Sequence, residues 1–277
     1  MNSAMLGSIS RRAIDHQDGS VMSVMVWLIA GFVTVLMTVL VLCPASWMAE
    51  VLEKQTGGKL TLGDPQGSLW HGSAFIGGAA GNNEPVTPLL PGRFGWTLSP
   101  LLLIGRVHVR LDNPAALANP VELSGGLHQW QITASAVTLP AERLAGLGAP
   151  LNTLQPRGVM QLRWGPLLVS RVDARVDLIG TLNLNLQDMA SRMSPVAPLG
   201  SYLLNMDWQG DHAGVQLSTL RGALVLNGTG AIRQNRLQFS GTAEAAAGNE
   251  EKLANLLNLL GRRRQIGAKN ITALEFK

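Results

Sequence analysis

The stretch GRVHVRLD, Gly105–Asp112, alternates apolar and polar residues without a break. In an extended chain its two valines and Leu111 share one face, and its histidine, arginine and aspartate share the other. Strict alternation of this kind is typical of an antiparallel strand that has one face covered and one face in water. The stretch therefore predicts a β-sheet with one apolar face.

The same alternation recurs along the chain. It is found in SRVDARVDL (Ser170–Leu178), TLNLNLQ (Thr181–Gln187) and RLQFSG (Arg236–Gly241). We interpret Ser170–Leu178 as one strand, with its valines towards the core and its arginines and aspartates towards water. Turn-forming Gly, Asn and Pro residues lie between the runs. These patterns predict a mainly β fold whose body is an extended or curled antiparallel sheet.

A long apolar segment precedes the strands. Val21–Cys43 holds 23 residues without a charge, and a helix of that length spans about 35 Å, enough to cross a bilayer. We interpret it as a single transmembrane helix, the alternative being a cleaved signal peptide. The predicted organisation is a cytoplasmic tail (1–20), a transmembrane helix (21–43) and an exported β-rich domain (44–277), which in a bacterium is periplasmic. Arg11 and Arg12 before the segment favour this orientation in a bacterial inner membrane.

The charge content of the chain limits its partners. Only 14% of the residues are charged, 46% are hydrophobic and the net charge is +4. The only dense basic run is Arg262–Arg264, whereas nucleic-acid binding usually requires a larger cluster, so no nucleic-acid partner is expected. Cys43 is the single cysteine, which excludes a disulfide within the chain.

The chain closes with a segment unlike the strands, GNEEKLANLLNLLGRRR, Gly248–Arg264. Four leucines fall on one stripe of a helix at 3.6 residues per turn: Leu253, Leu256, Leu257 and Leu260. We expect Asn249 to cap the helix and Gly261 to end it in a left-handed conformation. We expect Arg262–Arg264 to lie in water after its end, the alternative being contact with anionic lipid headgroups. The short helix either covers one face of the sheet as a core plug or docks a partner.

A shorter helix is predicted directly after the transmembrane segment. PASWMAEVLEKQTGG, Pro44–Gly58, contains a helical stretch that the glycines Gly57 and Gly58 would end. Trp47 lies where a tryptophan commonly anchors a protein at the membrane interface, and packing in the core is an equal alternative.

The sequence contains no recognisable catalytic motif. The P-loop, nucleophile-elbow, zinc-protease and C-x-x-C patterns are all absent, and the five histidines are scattered. We therefore expect neither an enzyme nor a cofactor or metal site.

Several segments resemble a known family. They are Pro44 with Trp47, GSLWHGSA (Gly67–Ala74), WTLSPLLLIG (Trp96–Gly105), PRGVMQLRW (Pro156–Trp164), LRGALVLNGTG (Leu220–Gly230) and FSGTAEAAAGNEEKLANLLNLLGRR (Phe239–Arg263). In this order they resemble protein N of the bacterial type II secretion system, the general secretion pathway. The resemblance covers most of residues 44–264, and its final piece is the most specific.

The resemblance implies a role in assembly. Such proteins are accessory inner-membrane components of the machine that exports folded proteins from the periplasm across the outer membrane. The implied partners are other inner-membrane platform subunits or the outer-membrane secretin. We expect contacts at the closing helix and at exposed strand edges, where an unpaired strand accepts a partner strand.

A second function of another class fits the same alternating strands. A membrane-anchored periplasmic sheet that curls around an apolar groove would bind or carry lipid, which makes lipid a further candidate partner. A scaffold would cover its apolar face with its own elements, whereas a lipid carrier would leave that face open as a groove.

Overall fold

The computed structural model describes residues 15–58, 60–78, 87–147, 151–172, 175–234, 236–266 and 269–276. The chain divides into two compact units after Pro44. The first contains a helix, and the second contains the sheet. Each unit is described by itself.

The first unit contains helix α1 (Asp15–Val41). Its apolar window, Ser23–Val41, is long and apolar enough to cross a membrane and is the one such helix among the described residues. Thr34 and Thr38 donate their hydroxyls to carbonyls four residues earlier, at 2.8 Å each, which satisfies these polar groups inside the helix. The helix begins before the predicted Val21. It ends before the predicted Cys43, because Cys43 precedes Pro44 and a residue before a proline is pushed out of helical conformation.

The second unit consists of short helices and strands. Its helices are α2 (Ser46–Thr56), α3 (Leu151–Leu154) and α4 (Glu250–Leu260), with 3₁₀ helices at Pro100–Ile104 and Ala141–Leu147. Its strands are β1 (Leu60–Gly67), β2 (His71–Gly78), β3 (Thr87–Pro88), β4 (Phe94–Leu98), β5 (Val107–Asp112), β6 (Val121–Gly125), β7 (Gln129–Ile132), β8 (Ser135–Pro140), β9 (Pro156–Trp164), β10 (Leu167–Val172), β11 (Arg175–Ser191), β12 (Gly200–Gly210), β13 (His212–Gly222), β14 (Leu224–Arg233), β15 (Arg236–Ala245), β16 (Arg262–Ile266) and β17 (Lys269–Phe276).

All seventeen described strands belong to one sheet, and every pairing between them is antiparallel. Neighbours in sequence are mostly neighbours in the sheet, so the chain forms a long meander. Strand β11 is long enough to pair with both β10 and β9 along one edge, and with β12 along the other. Among the described residues no pairing joins β1 to β16, so these two strands form the ends of the sheet. The predicted mainly antiparallel β fold with a short C-terminal helix is confirmed.

The alternation in the sequence predicts which residues of β5 and β11 share a face, although Leu111, expected on the covered face of β5, is exposed. In β11, Leu182, Leu184 and Leu186 lie opposite Met206, Leu204 and Tyr202 of β12, and residues directly opposite in an antiparallel pair share a face. In β5, Val107 and Val109 are half-buried while His108 and Arg110 are exposed.

The prediction of one strand over Ser170–Leu178 is wrong. The chain reverses between Val172 and Arg175, and Arg171 pairs with Val176 across a hairpin. Residues 173–174, which the prediction assigned to the strand, lie outside the described residues. The error arises because a tight reversal preserves the two-residue period of polarity while exchanging the faces.

Candidate interaction surfaces

Helix α4 turns its leucine stripe towards the sheet. Leu253, Leu256 and Leu257 are buried and Leu260 is half-buried. The stripe joins an apolar cluster with four buried residues from a strand-preceding loop, β14, β15 and β17: Leu199, Leu224, Ala243 and Leu274. Each buried leucine contributes about 1.5–3 kcal/mol of transfer free energy. The stripe is therefore occupied by the chain's own sheet.

The outward side of α4 is mostly polar. Its exposed side chains are Glu250, Glu251, Lys252, Asn255, Asn258 and Leu259. Leu259 is 65% exposed and is the one large apolar side chain on that side. A partner that approached α4 without unfolding it would meet this polar side.

Both ends of α4 differ from the expectation. Asn249 makes no side-chain cap; instead, Glu250 accepts a hydrogen bond from the backbone of Gly248 at 2.9 Å. Gly261 is extended (φ 176°) and not left-handed. A side chain at Gly261 would overlap the carbonyl oxygen of Ala273, so this glycine permits close approach of β17.

The three arginines after Gly261 do not trail from the helix. Arg262–Arg264 begin strand β16 and pair with Ala273, Thr272 and Ile271 of β17. Their backbone is therefore part of a strand and not of a helix end. The side chains of Arg262–Arg264 lie outside what the structure describes, so their solvation stays a prediction. The reason is non-local: β17, which follows in the chain, supplies the pairing that makes the segment extended.

Trp47 lies on α2 and is 57% exposed. Its neighbours in sequence, Ala45 and Met48, pack instead with Ala74, Trp96 and Leu62 of the sheet. The helix ends at Gly57 (φ 61°), as predicted. The exposed indole is available for a contact outside this unit.

The two end strands of the sheet offer different edges. Strand β1 contains Pro65, which has no N–H, and its register shifts between Gly63 and Gln66. Arg93 also clamps it, donating to a carboxylate oxygen of Asp64 at 2.6 Å and to the Asp64 carbonyl at 2.7 Å. Strand β16 pairs with β17 without a shift. An added strand would therefore find a more regular edge at β16.

One face of the sheet is apolar far beyond the two buried clusters. The register brings together apolar residues of β9, β11, β12 and β13 on that face: Met160, Leu162, Trp164, Leu182, Leu184, Leu186, Leu204, Met206, Val215 and Leu217. Helix α4 packs on β15–β17, and α2 packs on β1. On the strands between these two helices, Leu162, Leu184 and Leu204 are only half-buried. We call the ten residues from Met160 to Leu217 named above the apolar face.

The comparison with protein families decides the identity. The family model for type II secretion system protein N matches residues 58–272. The chain belongs to the type II secretion system protein N family. No curated protein and no solved structure matches the chain.

The protein N match contains the whole described sheet from β1 to Thr272, together with α4. It therefore includes the leucine stripe and the apolar face. Helix α1 and Trp47 precede the matched residues, so the family match does not assign them a role.

The described residues of this protein N homologue contain no candidate metal site. No group of three or more His, Cys, Asp or Glu among them could hold a metal ion. The described histidines in the sheet unit are His71, His108, His128 and His212, all exposed. Burial raises the pKa of Tyr202 to about 12, and its protonated hydroxyl donates to the Leu224 carbonyl at 3.0 Å. This tyrosine ties β12 to β14, a structural role.

The sequence did not reveal two surfaces. The first is the exposed turn Leu101–Ile104 between β4 and β5, and the second is the apolar face. WTLSPLLLIG (Trp96–Gly105) carries the family resemblance, but its leucines follow neither a strand period nor a helix period that would predict their position. The alternation predicts the faces of single strands without their order in the sheet, so the size of the apolar face was not evident. The signal for the first surface was the run of four consecutive large apolar residues, Leu101–Ile104.

Proposed function

We propose that this chain is an accessory inner-membrane component of the type II secretion system that acts by protein–protein contact and not by catalysis. The match to the protein N family over residues 58–272 carries the proposal. Helix α1 is the single-pass anchor, the N-terminus is cytoplasmic, and residues 44–277 form the periplasmic domain. The partners are other inner-membrane platform subunits or the outer-membrane secretin, reached through the outward side of α4 or the edge of β16.

A deletion of the gene in the host bacterium tests this function. Secreted proteins that normally fold in the periplasm should accumulate there and disappear from the medium, while resistance to detergent and antibiotics stays unchanged. A plasmid copy of the wild-type chain should restore secretion. Normal secretion in the deletion strain would contradict the proposal.

The apolar face favours a second candidate function, a periplasmic lipid-binding or lipid-carrier protein. Its middle positions, Leu162, Leu184 and Leu204, are half-buried and uncharged. They lie opposite one another on the neighbouring strands β9, β11 and β12. An acyl chain fits such a surface, because burying it removes apolar area of both molecules from water. In the deletion strain this function would give a leaky outer membrane with normal secretion.

Photo-crosslinking distinguishes a lipid from a protein on this face. A photoreactive amino acid at position 184 would face the apolar side of β11, and the same amino acid at position 183 would face the opposite side. After irradiation in cells, lipid binding predicts phospholipid adducts at 184 and none at 183. Adducts with protein alone at 184, or equal lipid adducts at both positions, would contradict the second candidate.

A further inference from the structure

The turn between β4 and β5 presents consecutive apolar side chains to solvent. Leu101, Leu102, Leu103 and Ile104 are all exposed, up to 71% at Ile104. Exposed Leu127 lies beside them, since a side chain added at Gly105 would come within 3.2 Å of its Cγ. We call Leu101–Ile104 and Leu127 the apolar tip. A run of four exposed apolar residues is unusual in a water-facing turn without a function.

The apolar tip is held in a defined conformation. The Ser99 hydroxyl accepts a hydrogen bond from the backbone of Leu101 at 3.3 Å. Gly105 ends the 3₁₀ helix with a φ of 80°, a left-handed conformation that glycine adopts without strain. The backbone thus fixes the apolar side chains on the outside of the turn.

The apolar tip lies at the same end of the sheet as Ala45, the first residue of the sheet unit. The backbone N–H of Ala45 donates to Gly67 at the β1–β2 turn, at 3.2 Å. At the same turn, Trp70 accepts from Leu98 at 2.7 Å, directly before the tip. We call this end the proximal end. Ala45 is four residues after Val41, the last residue of α1, and four residues span at most roughly 14 Å.

Arginines line the same end. The register carries this end across the sheet from β5 to β10, because Val107 pairs with Gly125, Gly125 with Trp130, and Gln129 with Ser170. The β10–β11, β12–β13 and β14–β15 turns lie at the same end, because Leu178 pairs with Gly210, and His212 with Arg233. The exposed arginines at these turns and beside the tip are Arg106, Arg175, Arg233 and Arg236. The described carboxylates nearby are Asp177 and Asp211, and Asp211 lies 3.2 Å from His212.

We propose that the proximal end rests on the anionic surface of the bilayer that α1 crosses, with the apolar tip inserted below the headgroups and the arginines on lipid phosphates. Apolar side chains flanked by cations are the combination that interfacial membrane binding uses, and basic side chains near an anionic surface add electrostatic attraction. Chain continuity with α1 favours the membrane over a protein partner. The inference rests on the proposed membrane anchor and adds a second membrane contact to it.

Fluorescence quenching in vesicles tests this contact on the full-length protein. The single cysteine is replaced (Cys43→Ala), and an environment-sensitive fluorophore is attached at Leu103→Cys or at Leu220→Cys. These side chains are matched in exposure, at 56% and 57%, but Leu220 lies at the opposite end of the sheet, since neighbouring Arg221 pairs with Ser201. The vesicles contain anionic phospholipid with nitroxide quenchers on the acyl chains.

The label at 103 should shift to shorter emission wavelength and be quenched severalfold more than the label at 220. Equal, water-like emission at both positions would overturn the proposal. A blue-shifted label at 103 that is not quenched would also overturn it, and would indicate that a protein covers the tip.

In neutral vesicles the quenching at 103 should fall. Equal quenching in anionic and neutral vesicles would contradict the role of the arginines. A third label, Leu36→Cys in α1, separates the failures. If the label at 36 is quenched and the label at 103 is not, only this inference fails. If the label at 36 is not quenched, the proposed anchor fails.

Discussion

A chain that carries both Leu256→Asp and Leu257→Asp should lose its cooperative thermal transition. Both leucines are buried in the cluster under α4. Truncation of one buried leucine to alanine costs about 2–5 kcal/mol, and an unpaired carboxylate in the same place adds the cost of its desolvation. Two such changes together approach or exceed the total stability of a typical domain, about 5–15 kcal/mol. Thermal unfolding of the full-length protein in detergent, followed by circular dichroism, measures the loss.

Leu259→Asp is the matched control for this pair. It places the same charge on the same helix at a side chain that is 65% exposed, so the free energy of unfolding should change by no more than about 0.5 kcal/mol. If the double variant melts like the control, α4 does not support the sheet, and its leucines are then available to a partner. The two variants thus separate the core plug from the docking helix.

The strand pattern was predictable from sequence because a half-covered sheet imposes a two-residue period on polarity. TLNLNLQ, Thr181–Gln187, shows this directly, since its leucines meet Met206, Leu204 and Tyr202 on one face. Ser170–Leu178 shows where the pattern stops being informative. A two-residue reversal keeps the alternation, so polarity alone cannot distinguish one strand from a hairpin.

The closing segment was predictable only where local rules decide it. The stripe of leucines follows from the helical period and lies on the buried side of α4. The end of the helix does not follow from Gly261, because β17, which comes later in the chain, draws Arg262–Ile266 into a strand. Long-range pairing of this kind outweighs the local preference of a glycine for a left-handed helix end.

The candidate surfaces depend on strand order, which single-strand patterns do not contain. The apolar face arises because β9, β11, β12 and β13 are neighbours whose apolar positions coincide. The proximal end arises because turns from distant parts of the sequence fall at one end of the meander. The secretion and lipid hypotheses therefore differ over a surface that appears only once the strands are ordered.

The other large effect is expected at Trp96, the centre of the smaller buried cluster. Its ring packs with Ala45, Ala74 and Met48 and lies so close to Gly72 that a side chain there would overlap it. The indole N–H donates to the Leu69 carbonyl at 3.1 Å. Trp96→Ala removes both the packing and this hydrogen bond, so the free energy of unfolding should fall by about 3–5 kcal/mol.

A graded series makes the Trp96 prediction specific. Trp96→Phe keeps most of the apolar area but leaves the Leu69 carbonyl without its donor, a loss of about 1–3 kcal/mol. Trp47→Ala, at an indole that is 57% exposed, should change stability by no more than about 0.5 kcal/mol. Urea unfolding of the full-length protein in detergent gives the free energy of unfolding of the three variants.

Because Ala45 and Met48 share the cluster, Trp96→Ala should also expose α2 to protease before the sheet is cut. Equal stability of Trp96→Ala and Trp47→Ala would show that this cluster does not fasten α2 to the sheet. The hydrogen bonds from Ala45 to Gly67 and between Thr56 and Leu60 would then hold the helix.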